Sequence, residues 1–155
     1  MTWQQLIVSA IVATALQSAT VAAAQGLGYT RMNLPLLLGT LVTADRSRAM
    51  TYGYALHMAV GLIFTSIYAE MFGILGKATW WLGSVMGLVH GLVVMLIVLP
   101  LIPYWHHRVA TERQGPTPTR LLQPPGFLGL HYGRGTPLVT LLSHVVYGAA
   151  LGILL

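Results

Sequence analysis

The sequence predicts an all-α integral membrane protein, a four-helix transmembrane bundle with two membrane-associated cytoplasmic links. Three observations predict it. The chain of 155 residues is 55% hydrophobic and only 7% charged, whereas a soluble domain carries roughly 25% charged residues. Four apolar runs reach or approach the ~20 residues that cross a bilayer as helix. The basic residues fall almost entirely in two of the connections, as orientation signals do.

The first run is Leu6 to Gly26. Ala22-Ala23-Ala24 resembles a signal-peptide cleavage region, but the segment Met1-Thr2-Trp3-Gln4-Gln5 before the run has no lysine or arginine. The run therefore reads as a retained helix. The second span is Met50 to Gly73, the third Trp80 to Leu101 and the fourth Pro137 to Leu155, all within one domain of residues 1–155. Trp80-Trp81 and Tyr104-Trp105 bracket the third span, as aromatic side chains do at the two headgroup levels. Pro100 and Pro103 are expected to bend or end it.

The connections are not ordinary loops. Residues 33–44, Asn33 to Ala44, form an apolar stretch too short to cross, which reads as an interfacial or re-entrant segment. Asn33 is placed to cap it, and Pro35 is tolerated in its first turn. Residues 106–136 begin His106-His107-Arg108, pass through Gly115-Pro116-Thr117-Pro118 and turn apolar again at Leu121-Leu122 and Phe127 to Leu130. That composition predicts a strap along the membrane surface.

Arg31, Arg46 and Arg48 lie in the first long link, and Arg108, Arg113, Arg120 and Arg134 in the second. The short link between the second and third spans has only Lys77. The positive-inside rule then places both long links in the cytoplasm and both termini outside it, in a bacterial inner membrane. Scattered single arginines fit anionic headgroups better than nucleic acid. The absence of cysteine excludes disulfides, thiolate catalysis and cysteine-ligated clusters.

Helices in lipid approach one another through small residues one turn apart. Gly83, Gly87 and Gly91 form such a row on the third span, and Gly53, His57, Gly61 and Thr65 on the second. Thr140, His144, Gly148 and Gly152 form one on the fourth, and Ala15, Ala19 and Ala23 on the first. The second and fourth spans share a His-x-x-x-Gly element, at His57 and His144, compatible with a duplicated helix pair.

His57, His90 and His144 are the informative residues, because an ionisable group inside a membrane span marks a functional site by default. At ~1.5 Å rise per residue, His57 and His144 lie on the order of 10 Å inside the ends of their helices. Matched depth would let them ligate haem b from both axial sides, or one histidine hold the magnesium of a chlorophyll-type pigment. The bland alternative is hydrogen bonding to neighbouring helices, with Ser66, Ser84, Thr140 and Tyr147 as candidate partners. No spacing supports a zinc site, and Met58 and Met86 near the histidines are a weak copper signal. His106-His107 are expected at the interface as polar, partly cationic groups.

Catalytic machinery is not expected. The three carboxylates are Asp45, Glu70 and Glu112, with Lys77 the expected partner of Glu70. No carboxylate pair, nucleophile elbow or phosphate-binding loop is present. The sequence is thus read as a non-catalytic subunit of a larger membrane complex, respiratory or photosynthetic, with lipid and other membrane subunits as partners. Two alternatives stand beside it. One is a haem- or pigment-binding protein using His57 and His144; the other is a small-solute carrier or channel lined by His90, Ser84, Thr65, Ser66 and Gln17.

Overall fold

The computed structural model describes residues 2–155, and these are helical apart from turns and two isolated β-bridges. Helix α1 is Trp3–Gly26, α2 Leu34–Gly39, α3 Arg46–Leu75, α4 Trp80–Val93, α5 Leu99–Trp105 and α6 Thr136–Leu154. A π-helical turn, Val94–Val98, joins α4 to α5, so that Trp80–Trp105 is one continuous helical rod. That rod and α1, α3 and α6 are each long and apolar enough to cross a membrane.

Local sequence sets the boundaries. Thr2 caps α1 by accepting from the Gln5 N–H. Asn33 caps α2, accepting from the Leu36 N–H at 2.8 Å, with Pro35 in the first turn. Asp45 caps α3 at the Arg48 N–H, 2.8 Å, so Arg46 and Arg48 belong to the helix rather than to the link before it. A side-chain acceptor at this position satisfies an amide that the helix itself leaves unpaired. Gly76, at φ 69°, ends α3 in the left-handed conformation that glycine adopts without steric cost.

Pro100 and Pro103 lie inside the last turns of the third rod, which ends at Trp105, two residues past Pro103. A proline ring lacks the N–H and crowds the carbonyl four residues before it. Here the backbone widens upstream instead, and the Leu99 N–H donates to the Val94 carbonyl, five residues back.

The four rods run alternately up and down. Gln5 Nε2 donates to the Leu154 carbonyl at 3.1 Å, joining the two ends of the chain at one end of the bundle. At the other end the long links meet: the Arg31 N–H donates to the Tyr132 carbonyl at 2.6 Å, and its guanidinium donates to the His131 carbonyl at 2.7 Å. The Thr30 and Thr136 hydroxyls pair there at 2.8 Å, fully buried. Met32, Leu37, Leu99, Ile102 and Val109 form an apolar cluster beneath them. The links are therefore a packed cap rather than loose straps.

Helix α6 is the hub, packed closely against α4 and α1. Along the α4–α6 seam, backbone meets backbone: a Cβ on Gly83 would strike the Gly148 carbonyl, one on Gly87 the His144 carbonyl, and one on Gly152 the Thr79 carbonyl. Gly91 faces the His144 and Leu141 side chains. On α3, Gly53 lies against the Pro35 carbonyl of α2 and Gly61 against the Thr14 hydroxyl of α1.

The alanine ridge of α1 is a correction. Ala15, Ala19 and Ala23 are exposed, and the buried face is Leu6, Ser9, Ala10, Ala13, Thr14 and Gln17. Turning that face inward removes Ser9, Thr14 and Gln17 from the apolar exterior, where polar groups are costly. Small-residue spacing alone does not register that term.

Candidate functional site

The three helix histidines converge on one cavity. Its volume is about 200 Å³, and its wall draws on α1, α2, α3, α4, α6 and the π-helical turn. His57, His90 and His144 line it together with Gln17, Ser18, Thr140, Ser143 and Tyr147, and the remaining wall is largely apolar. No carboxylate, lysine or arginine is among the lining residues. Tyr54, Val60 and Val98 line it as well, and each is about 40% exposed on the outside of the bundle. The cavity therefore reaches the outer apolar surface between α3 and the π-helical turn. Without that turn, Val94 and Val98 would sit at a different rotation about the helix axis.

Each imidazole is held at the same atom. His144 Nδ1 lies 2.7 Å from the Thr140 carbonyl one turn back. A carbonyl only accepts, so Nδ1 carries the proton and Nε2 of the neutral ring keeps a lone pair. His57 Nδ1 meets the Ser18 hydroxyl of α1 at 3.2 Å. His90 Nδ1 lies 3.5 Å from the Tyr68 hydroxyl, a long contact. Among the described residues, none of the three Nε2 atoms has a protein hydrogen-bond partner. Thr140 adds a fourth open valence: its hydroxyl is buried and unpaired.

The rings also touch. His90 and His144 stand edge to face with centroids 4.8 Å apart, and Phe64 lies over His90 at 4.1 Å. Tyr68 and Tyr147 close the outer side of this aromatic group, 5.6 Å apart and nearly perpendicular. Tyr147 donates to the Gly61 carbonyl at 2.7 Å, which leaves its oxygen to accept from Thr65 at 2.9 Å. One phenol thus fixes α6 to α3 at the cavity wall.

Several expected partners lie elsewhere. Ser66 and Ser84 donate to carbonyls of their own helices, Leu62 and Trp80, and neither lines the cavity. Thr65 is occupied by Tyr147. Of the residues expected to line a solute path, His90 and Gln17 are at the cavity, whereas Ser84, Thr65 and Ser66 are not. Lys77 does not pair with Glu70; its ammonium lies over the Trp81 ring, 5.4 Å from the centroid.

His106 is the residue whose role the sequence conceals. It is buried rather than interfacial, and its Nε2 donates to the Leu37 carbonyl at 2.8 Å. The Arg108 guanidinium donates to the Thr40 carbonyl beside it. Together they tie the end of the α4–α5 rod to α2. Desolvation by burial holds the His106 pKa below its usual 6.5. Nearby, burial pushes the Tyr132 phenol up to about 12, and its hydroxyl donates to the Gln123 carbonyl at 2.6 Å. His106 follows the last residue of α5 in an extended conformation and is buried, while His107 stays at the surface with its ring stacked on His106 at 5.8 Å.

Fit to a metal or macrocycle can be judged from the same geometry. A ring with Nδ1 tethered and Nε2 open has the arrangement of a metal-ligating histidine. Among the described residues, however, no three of His, Asp or Glu cluster as a metal-ligand set. The cavity, at about 200 Å³, is below the ~300–1,000 Å³ of sites for drug-sized ligands. A porphyrin needs more than this, and the direct contact of His90 with His144 leaves no gap between those two rings for a plate. Comparison of the chain with known protein families, with curated proteins and with solved structures finds no match.

Proposed function

We propose that the chain is a non-catalytic integral membrane binding protein, whose histidine-lined cavity takes one small lipid-soluble molecule with a polar group. The observation that carries the reading is the convergence of three imidazoles, two of them (His144 and His57) tethered at Nδ1 and all three with Nε2 unpaired, on a single apolar-walled cavity. An apolar pocket with a few convergent polar groups is the usual form of a ligand site. The exposed wall residues Tyr54, Val60 and Val98 give it a mouth on the apolar surface, so the ligand reaches it from the bilayer. His144 Nε2 accepts, which selects a hydroxyl, an amide N–H or another donor on the ligand. Seven of the eight basic residues lie in the long links or the first turn of α3; that end faces the cytoplasm in this reading, and both termini face away from it.

The haem and pigment reading through His57 and His144 has less support, because a cavity of about 200 Å³ is small for a macrocycle. The carrier reading has less because three of the five residues expected to line its path do not face the cavity. Membership of a larger membrane complex keeps one specific observation in its favour. Helix α3 is only 22% buried over its most apolar window, against 50% for α6. That uncovered face suits either lipid or another subunit.

Native mass spectrometry of protein ejected gently from its own membrane tests the proposal. Wild type is expected to carry one small molecule per chain. Val60→Trp, which covers the mouth, and His144→Leu, which removes the acceptor, are expected to lose it while keeping their helicity. Equal occupancy in all three, or none in any, overturns the reading. A wild-type mass that includes other chains would bring the subunit reading forward.

A further inference from the structure

A second recess lies where the α4–α5 rod meets the strap, sharing only Leu99 with the lining of the histidine cavity. It encloses about 870 Å³ between Pro100, Pro103 and Tyr104 of the rod and residues 111–114, Arg120, Phe127 and His131 of the strap. Its two faces differ in chemistry. On the apolar side, Tyr104 is 83% exposed and Phe127 69% exposed, next to the uncovered Leu96, Ile97 and Leu101 along the rod. On the polar side stand two guanidiniums without a carboxylate partner. Arg120 is bonded only to the neutral Gln114 amide oxygen, at 3.0 Å, and Arg113 has no side-chain partner among the described residues. The groove's one carboxylate, Glu112, is turned to His131 at 3.7 Å.

We propose that this groove is a binding site for an anionic phospholipid, with the phosphate between Arg113 and Arg120 and the acyl chains along the exposed apolar face of the rod. Charge complementarity and position argue for it together. The groove sits at the end of a 26-residue apolar helix, beside Tyr104 and Trp105, where the headgroup level falls if the rod crosses the bilayer. Basic pockets at such helix ends recognise acidic headgroups. A free anion would use the guanidiniums but gain nothing from Phe127, Tyr104 and the apolar rod. The proposal rests on the rod crossing the membrane and does not depend on the histidine cavity being filled.

The full chain in neutral detergent, titrated with phosphatidylglycerol or with phosphatidylcholine of the same acyl chains, provides the test. Lipid retention is read by native mass spectrometry and helicity by circular dichroism. Each cationic side chain near an acidic headgroup is worth roughly fivefold in affinity. Phosphatidylglycerol is therefore expected to be retained about 30-fold more tightly than phosphatidylcholine, with the preference abolished in Arg113→Gln/Arg120→Gln at unchanged helicity. Val60→Trp is expected to keep the preference, which separates this site from the cavity. Equal retention of the two lipids, or undiminished preference in the double variant, overturns the proposal. Displacement of phosphatidylglycerol by millimolar inorganic phosphate would also overturn it, by assigning the groove to a soluble anion.

Discussion

Replacing Gly148 by alanine puts a methyl group into the backbone-to-backbone seam between α4 and α6. The added Cβ would strike the Gly83 carbonyl oxygen, and it would lie 2.9 Å from that carbonyl carbon and 3.0 Å from the Gly87 Cα. All of these are backbone atoms, so no side chain can swing aside and α4 must move away from α6. Overpacking of this kind costs about 1–3 kcal/mol. Alanine at a helix interior recovers roughly 0.5–1 kcal/mol relative to glycine, leaving a net loss of about 0–2.5 kcal/mol. Gly73 on α3 supplies the control, since nothing lies within 4 Å of its would-be Cβ. Gly73→Ala gains the helical term alone, so it is expected to be stabilised. Reversible unfolding by dodecyl sulfate titration in mixed micelles, followed by circular dichroism, measures both variants. Gly148→Ala as stable as Gly73→Ala would refute backbone contact at that seam.

Tyr147→Phe removes the α6 bond to the Gly61 carbonyl and the partner of the Thr65 hydroxyl, and at roughly 0.6 kcal/mol per hydrogen bond in a membrane protein it is expected to cost about 1 kcal/mol. A double-mutant cycle with Thr65→Val isolates the share of that pair. The links respond to pH through His106. Its folded pKa lies below 6.5, so the unfolded chain takes up the proton first as pH falls. Its contribution is complete above pH 6.5 and lost below it. Amide-exchange protection at Ala110 and Leu122, corrected for intrinsic rates, is expected to fall through that range in wild type and to stay flat in His106→Gln. Val60→Trp is expected to exclude small apolar probes such as xenon from the cavity while leaving unfolding unchanged within about 0.5 kcal/mol, as for other partly exposed sites.

The four long helices were legible because a helix apolar enough to cross a membrane shows apolar side chains outward along its whole length, which leaves a long hydropathy signal. The glycine rows of the second, third and fourth spans were legible for a related reason, since close approach demands small residues at one-turn spacing. Rotation of each helix about its own axis was not legible. For α1 the alanine row pointed one way, and the burial of Ser9, Thr14 and Gln17 turned it the other. The same limit hid the cavity. His57, His90 and His144 could be singled out by their cost in lipid, but their convergence on one cavity depends on three rotations and on the π-helical turn before Pro100. Ser66 and Ser84 looked like partners by depth alone; a serine in a helix can bond its own carbonyl four residues back, and both do. The inward bond of His106, expected instead at the interface, was not legible because its partner, the Leu37 carbonyl, lies 69 residues away in sequence.

The most direct test of a histidine-held ligand is the nitrogen spectrum of ¹⁵N-histidine-labelled protein in bilayers, recorded as isolated and again after exhaustive exchange of the native lipid for a saturated synthetic one. Binding at the cavity predicts that His144 carries its proton on Nδ1 in both samples and that only its Nε2 resonance moves when the native lipid extract is removed. A proton found on Nε2, or an Nε2 resonance identical in the two samples, would contradict it.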